Sequence, residues 1–277
     1  MITLGIQLNF KINTFVPIIQ QKKEFNFWVK DCIQSGMTVH SCTYQKQGSC
    51  AACPSRDDSI FANISSKHLD DLDKNKVTNV YKKGQILFNE GSPALGVYCV
   101  LDGQIKILKN SENGKETIMK LAGSGDVLGL RGVLTENNHP ATAKVMQDSH
   151  ICFIDRKFFK DLIQKSPEAA HSLILRLAKD VTQLEDHLEG MSAKTVRQRL
   201  VQLLLSFCQT YGMRKAGEVR IDLKITRAEM ASMIGTTPET VIRILSDMDD
   251  SGVIRQDGKK IIVPDLDFLI EEIGIIY

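Results

Sequence analysis

The stretch TRAEMASMIGTTPETVIRIL, Thr226 to Leu245, constrains the fold of this chain more than any other. It contains two helix starts separated by one turn signal. Thr226 with Glu229 three residues on is a capping-box pair, and Thr237 followed by Pro238 is a second start with proline at the first helical position. Between them, Ala231 offers a small contact residue, Gly235 a turn residue free of Cβ strain, and Val241 an apolar anchor that faces back to the first helix. The spacing predicts a helix-turn-helix whose second helix enters a DNA major groove.

The residues after Pro238 decide what such a helix touches. Glu239 and Arg243, four apart, share one face. A carboxylate accepts a hydrogen bond from a cytosine amino group, and a guanidinium donates a bidentate pair to guanine O6 and N7, so the couple suits a half-site containing G·C pairs. Thr226, Arg227, Thr237 and Thr240 are placed as phosphate contacts, which position the helix without reading sequence. Lys259, in the hairpin that follows, is a further candidate DNA contact. Taken alone, Glu239 and Arg243 read more readily as an i,i+4 ion pair on a solvated helix; the turn geometry around them reverses that preference.

At 277 residues the chain is long enough for two domains, each with its own core. The overall formal charge of +2 would by itself argue against a dedicated nucleic-acid binder. Its distribution is uneven: from Ser192 to Val263 there are twelve Lys and Arg against eight Asp and Glu, so the excess sits on the C-terminal part. A modest local excess suits a dimeric, sequence-specific regulator better than a histone-like neutraliser. No apolar run is long enough for a membrane helix, and MITLGIQLNFKINTF lacks the unbroken apolar core of a signal peptide, so a cytoplasmic protein without a membrane partner is expected. In that reducing compartment the seven cysteines are poor candidates for structural disulfides.

Organisation changes along the chain. From about Ser59 to Phe159, short β-like runs (Gln85 to Phe88, Val97 to Leu101, Gln104 to Leu108, Thr117 to Leu121, Ile151 to Ile154) alternate with turn signals at Gly84, Gly91, Gly103, Asn113-Gly114, Gly125 and Gly129. This pattern predicts an all-β sandwich or barrel. After Pro167 the period becomes helical: Ile174, Leu177, Val181, Leu184, Leu188 and Met191 form a heptad seam that wants a partner helix of its own kind. Packing of that helix on its own β-domain is the alternative. A helical stretch from Ala193 to Thr210 leads into the helix-turn-helix, and Gly252 to Ile254 with Lys260 to Val263, joined at Asp257-Gly258, read as a wing. The expected class is α+β: an N-terminal extension with a Cys-rich segment at 1–58, an all-β domain at 59–165, a dimerisation helix at 166–191, and a winged-helix DNA-binding domain at 192–277.

The order of these parts, with YKKGQILFNEG, GVYCVLDGQIKIL and NGKETIMKLAGSGDVLG ahead of the long helix, resembles the family of the cyclic-AMP receptor protein and the fumarate and nitrate reductase regulator, CRP/FNR. The resemblance covers about Cys50 to Val263. It implies a β-roll sensor domain at 59–165, a cyclic-nucleotide-binding-like jelly roll, with a homodimer through 170–191, a winged helix on a palindromic double-stranded DNA site, and regulation of transcription through RNA polymerase. Glu239 and Arg243 match the family's base-reading pair, and Ile242 takes the position where members differ.

Members that bind cyclic nucleotides carry a glutamate after the glycine matching Gly129 and an arginine followed by serine or threonine for the phosphate. Here those positions read Leu130, His139 and Pro140. A phosphodiester buried there would lack its neutralising partner, so cyclic AMP is not the expected ligand. HPATA instead resembles the oxygen-sensing branch, which holds a [4Fe-4S] cluster on three N-terminal cysteines and one in the β-roll. Cys50 and Cys53 match the close pair and Cys152 the β-roll ligand. The third N-terminal position is Ser59, a poor substitute for thiolate. Cys42 could supply the missing ligand, with Cys32 or His40 as weaker substitutes.

An iron-sulfur cluster, thiol redox chemistry or zinc, and no cofactor at all remain open for this region. Cys99 and Cys208 lie in apolar periodic runs and read as core, and His171 and His187 as solvent-facing. Two other function classes compete with the regulator: a ligand-responsive subunit whose winged helix docks a protein partner, and an enzyme. For an enzyme, no Ser/His/Asp, paired-carboxylate or phosphate-loop arrangement has plausible spacing.

Overall fold

The structure, a computed structural model, describes residues 48–110, 116–215, 217–221, 223–258 and 260–272. Two long antiparallel strands organise its first half: β3 (Gly96–Asn110) and β6 (Thr142–Asp155). β6 also pairs with β1 (Lys76–Tyr81) and β2 (Ile86–Phe88), and β3 with β4 (Glu116–Ala122) and β5 (Val127–Leu128), giving the order β1-β6-β3-β4 with β2 and β5 to the side. The register of β3 on β6 shifts between Val100 and Ile105, so the paired strands bend and the sheet curls around Val100, Ile105, Ala143, Val145 and Ile151. This is an all-β domain, as the turn spacing predicts, and it has the β-roll form that the family resemblance implies.

The glycine signal was misleading at one point. Val97–Leu101 and Gln104–Leu108 are not separate strands joined by a turn at Gly103 but halves of β3. Gly103 sits inside the strand with φ of 105°, and a Cβ there would lie 1.9 Å from Ser149 Oγ, so glycine marks close backbone approach. Ile151–Ile154 is likewise the end of the longer β6. β1 escaped the pattern because Val77 and Val80 face outward, more than half exposed. The Asn113-Gly114 hairpin lies outside the described residues, although β3 and β4 on either side of it pair from Asn110 opposite Glu116.

Helices close one end of the roll. α1 (Ser66–Asn75), α2 (Leu130–Thr135) and α3 (Arg156–Lys165) bury Leu69, Leu72, Val133, Phe159 and Leu162 in a second cluster that also contains Cys50. α4 (Pro167–Ala193) starts at Ser166, whose hydroxyl accepts a hydrogen bond from Ala169 N. At 27 residues it runs about 40 Å. Its first turns are rooted in the second cluster through Ala169 and Leu173, with Leu177 partly buried there, so this seam position serves the chain's own core. The other seam residues, Ile174, Val181, Leu184, Leu188 and Met191, are 42% to 68% exposed. His171 and His187 are exposed as well.

A third cluster belongs to the C-terminal part. α5 (Val196–Tyr211), α6 (Arg227–Ile234), α7 (Pro238–Asp250) and α8 (Leu266–Glu271) pack with a sheet of order β7-β8-β10-β9, made of Gly212–Lys215 (β7), Glu218–Ile221 (β8), Arg255–Asp257 (β9) and Lys260–Val263 (β10). Leu204, Met230, Val241, Leu245, Met248 and Leu269 form its centre. The wing begins at Arg255, not at Gly252 as the sequence pattern suggests. Gly252 to Ile254 instead leave α7, with Ile254 N donating to Met248 O at 3.2 Å and the Ile254 side chain buried. The β7–β8 hairpin was not anticipated, since its outer strand GMRK carries no alternation.

The two halves touch through α6 and β4. Ile118 N donates to Ser232 Oγ at 3.1 Å, and Lys106 Nζ pairs with Glu229 Oε1 at 3.0 Å. Among the described residues no helix is long and apolar enough to cross a membrane.

Phe159, fully buried and edge-on to Phe61 with ring centroids 6.5 Å apart, carries the cluster that roots α4. Phe159→Ala is expected to cost about 3–5 kcal/mol, read as a lower urea midpoint with little change in m-value.

Candidate nucleic-acid interface and cysteine cavity

Each helix of the helix-turn-helix starts on a side-chain cap. Thr226 Oγ1 accepts from Glu229 N at 3.1 Å, while Glu229 Oε2 accepts from Thr226 N at 2.9 Å, completing the capping box. Thr237 Oγ1 accepts from Thr240 N at 3.3 Å, and Pro238 occupies the first turn of α7. Gly235 takes the left-handed conformation, φ 65° and ψ 51°, and its N–H bonds to Ala231 O. Arg199 of α5 pins the same turn, its Nε donating to Ile234 O at 2.9 Å. Met191, at the end of α4, lies against Gly235, with its Cε 2.6 Å from where a Cβ would stand.

This frame sorts the faces of α7. Val241, Ile244, Leu245 and Met248 are buried, which leaves Glu239, Ile242 and Arg243 exposed on the opposite side. Burial contributes little at Glu239: its own backbone N–H and the Thr237 hydroxyl hold the carboxyl below the usual glutamate range, so it is an ionised acceptor at neutral pH. Arg243 is 71% exposed and its ion pair is with Asp247, at 4.0 Å, rather than with Glu239. Two charged groups four residues apart therefore stand separately in solvent.

The predicted phosphate contacts divide. Thr226 and Thr237 are exposed and Thr240 half-buried, all at helix N-termini where backbone N–H groups favour anions. Arg227 differs. Its guanidinium is half-buried, and burial pulls its pKa below the ordinary arginine value. Its Nη2 donates to Gln256 Oε1 at 2.8 Å, while Gln256 N donates to Asp249 Oδ1 at 3.2 Å. In this structure Arg227 stitches α6 to the wing. Lys259 lies outside the described residues. Sequence reasoning missed Gln256, Arg199 and Lys106, whose partners are distant in the chain and carry no periodic signal.

In the β-roll, His139 is buried, stacked face to face on Phe88 with centroids 3.8 Å apart, and its Nδ1 has no hydrogen-bond partner among the described residues. Burial pulls its pKa down. Tyr98 and Phe153 extend the aromatic row. Leu130 is buried at the start of α2.

The cysteines converge more than the sequence implies. Cys50, Cys53, Cys99 and Cys152 line one cavity of about 50 Å³. Cys50 and Cys53 come from a single 3₁₀ turn (Cys50–Ala52 and its cap), which puts them three residues apart on one wall. Cys99 and Cys152 are direct partners across β3 and β6. Cys99 thus has a place beside the other three thiols in addition to its packing role, whereas Cys208 belongs to the C-terminal core. Cys42 lies outside the described residues.

Ser59 Oγ donates to Arg56 O at 2.7 Å and accepts from Phe61 N at 3.1 Å, the bonds of a turn residue. Of the expected cluster ligands, Cys50, Cys53 and Cys152 border this cavity, with Cys99 beside them. Among the described residues no three metal-ligating groups already stand at metal-binding distance.

One buried cation edges this cavity. Lys76 Nζ donates to Asp73 Oδ1 and Gly48 O, both at 2.6 Å, and to Cys50 Sγ at 3.1 Å. Burial would lower the Lys76 pKa, but Asp73 and the Cys50 sulfur together raise it to about 12. Burial pushes the Cys50 thiol up to about 12 against the pull of Lys76. Burial acts upward on Asp73 too, yet Lys76 and the Cys50 N–H hold it near 2.

A β-roll joined by a long helix to a winged helix with a charged, exposed second helix defines a DNA-binding regulator with a sensor module. Residues 78–166 match the family described as "Cyclic nucleotide-binding domain" and residues 198–272 the "Crp-like helix-turn-helix domain". Similar proteins include the "CRP-like cAMP-activated global transcriptional regulator" of Mycobacterium tuberculosis, 25% identical over 206 residues that cover 74% of this chain and 92% of that protein. The "Transcriptional activator protein FnrL" of Cereibacter sphaeroides is 29% identical over 230 residues, 81% of this chain and 92% of its own. Among solved structures, FixK2 from Bradyrhizobium japonicum superimposes with a TM-score of 0.64 at 24% identity, covering 71% of this chain and 96% of that one. The chain belongs to the CRP/FNR family of transcription regulators, which are DNA-binding proteins and not enzymes.

The lowered Asp73 pKa carries a pH signature. A carboxylate held near 2 stabilises the fold fully above its unfolded value of about 3.9, and that contribution fades as pH falls toward 2. Asp73→Asn is expected to lower the melting temperature at neutral pH, with the gap to the parent closing between about pH 4 and 2. A gap that stays constant across that window would contradict the assignment.

Proposed function

We propose that this chain acts as a homodimer on a palindromic DNA site, with Glu239 and Arg243 reading base edges and Thr226, Thr237 and Thr240 holding phosphates. The observation that carries the reading is the exposed presentation of Glu239 and Arg243 on α7, not paired with each other and opposite its buried face. Ile242 stands beside them and contributes apolar contact, such as a thymine methyl would accept. Arg227 contributes through its hold on the wing, and Lys259 is a further DNA contact in this reading. Division of labour follows the boundaries expected from the pattern: sensor at 59–165, dimer helix at 166–191, DNA domain at 192–277, after an N-terminal extension at 1–58.

The dimer reading rests on Ile174, Val181, Leu184, Leu188 and Met191, a stripe of exposed apolar side chains at heptad spacing on α4. Two recognition helices must meet successive major-groove turns about 34 Å apart, so a small rotation of that seam changes affinity steeply. The signal enters at the cysteine cavity. Support comes from the cluster that contains both Cys50 and the root of α4, Ala169 and Leu173, which links cavity shape to helix position. Contact with RNA polymerase, and action in the cytoplasm, follow from membership of the family.

Selection from random duplexes is expected to enrich an inverted repeat. Arg243→Ala should weaken binding to it by about 1–3 kcal/mol, roughly 10- to 100-fold, with sequence preference relaxed at one position of each half-site. Enrichment of no repeat would end this reading. Independently, Leu184→Glu should convert the dimer to a monomer in light scattering and abolish operator binding; a wild-type monomer would contradict the seam.

A further inference from the structure

One four-residue turn of the roll touches the cysteine-bearing segment, the long helix and the DNA module at once. It joins β4 to β5 and reads Gly123-Ser124-Gly125-Asp126. The turn is closed from within: Asp126 Oδ2 accepts from Gly123 N at 2.8 Å, and Asp126 N donates to Gly123 O at 3.0 Å. Gly125 N donates to Val100 O and Val100 N to Asp126 O, both at 2.9 Å, which fixes the base of the turn to β3.

Contacts leave this turn in three directions. Toward the cysteines, Ser124 Oγ donates to Ser55 Oγ at 2.8 Å, and the buried Ser55 donates in turn to Leu101 O. Gly125 lies on Asp58 of the same segment: its φ is 86°, and a Cβ there would stand 2.7 Å from the Asp58 Cβ. Toward α4, Asp126 Oδ1 accepts from Arg176 Nη2 in an ion pair whose side chains are 20% and 22% exposed. Toward the DNA module, Tyr211 at the end of α5 rests on Gly123, its Cε1 3.5 Å from where a Cβ would stand. Ser55 and Arg176 share no bond; the turn stands between them.

We propose that this turn is a joint that sets the angle of α4 and α5 on the roll by the position of the 53–58 segment, with Ser124 and Asp126 as its positioning residues. The proposal rests on the homodimer reading above and names the route from the cysteine-bearing segment to the seam. Shielding gives the ion pair its strength: a half-buried pair is screened less than a surface one, and removing one partner leaves the other charge uncompensated. Asp180 is a poor substitute for Asp126, because it holds Lys120 Nζ at 2.8 Å and stands 3.5 Å from Arg176 Nε. Room to move lies alongside. A cleft of about 530 Å³ between β4, α4 and α5, with Asp126, Arg176 and Tyr211 in its wall, lets the two helices shift without compressing a close-packed core.

The test compares affinity of the full-length, reduced chain for the duplex enriched by selection and for an unrelated duplex, with light scattering for the dimer and urea unfolding for the fold. Asp126→Asn keeps an acceptor for Gly123 N but removes the charge. It should weaken operator binding about 10-fold, the scale of one charge-assisted hydrogen bond, and leave the dimer and the unrelated duplex unaffected. Arg176→Gln should do the same, and the two together should cost no more than either alone, since paired amides restore an uncharged bond. Ser55→Ala combined with Arg176→Gln decides the coupling. Their joint effect should fall short of the product of the separate effects by more than about twofold, the margin within which independent sites multiply. Effects that multiply, operator binding unchanged in Asp126→Asn, or loss of the dimer in step with operator affinity would overturn the joint alone. A parent chain that binds no duplex sinks the DNA reading and the joint with it, so the two failures are distinct.

Discussion

The left-handed turn at Gly235 is the constraint on which the rest of this molecule depends. Glycine suits it, since the backbone takes a positive φ and a Cβ would have to push aside the flexible end of Met191. That turn fixes the crossing of α6 and α7, and the crossing buries Met230, Ala231, Val241 and Leu245 together. Once one face of α7 is committed to this core, Glu239, Ile242 and Arg243 have no direction left but outward. Arg199 secures the turn from α5 through Ile234 O, and the two caps end the helices where the turn requires.

The same turn is where the long helix meets the DNA module. Met191 belongs to the exposed seam of α4 and to the surface under Gly235 at once. On the other side, Lys106 and the β4 backbone hold α6 through Glu229 and Ser232. Glu229 therefore has two tasks: it closes the capping box of α6 and it pairs with a lysine of the β-roll. Burial acts to raise its pKa, but bonds from Thr226 and Lys106 keep it below the usual range, so the carboxylate stays charged in both roles. Both α4 and the roll therefore contact the helix-turn-helix, α4 at the Gly235 turn and the roll along α6.

Local chemistry was legible in the sequence wherever the signal lay within a few residues. The caps at Thr226 and Thr237, the glycine turn and the apolar period of α4 are all short-range, and each stands where the pattern places it. Features that depend on distant pairing were not legible. Gly103 reads as a turn by composition, yet Ser149 packs against it from 46 residues away and makes it part of a continuous strand. Arg227 reads as a phosphate ligand because it opens a helix, but Gln256 of the wing engages it. Cys99 reads as core because its neighbours are apolar; only the register of β3 on β6 sets it beside Cys152.

Guanine methylation interference on the selected duplex tests the central claim most directly, because N7 lies in the major groove where Arg243 is held to read it. The account predicts two symmetric clusters of interfering guanines, about 10–10.5 base pairs apart, that disappear for the Arg243→Ala protein. A single cluster, or a pattern identical with and without the Arg243 side chain, would contradict it.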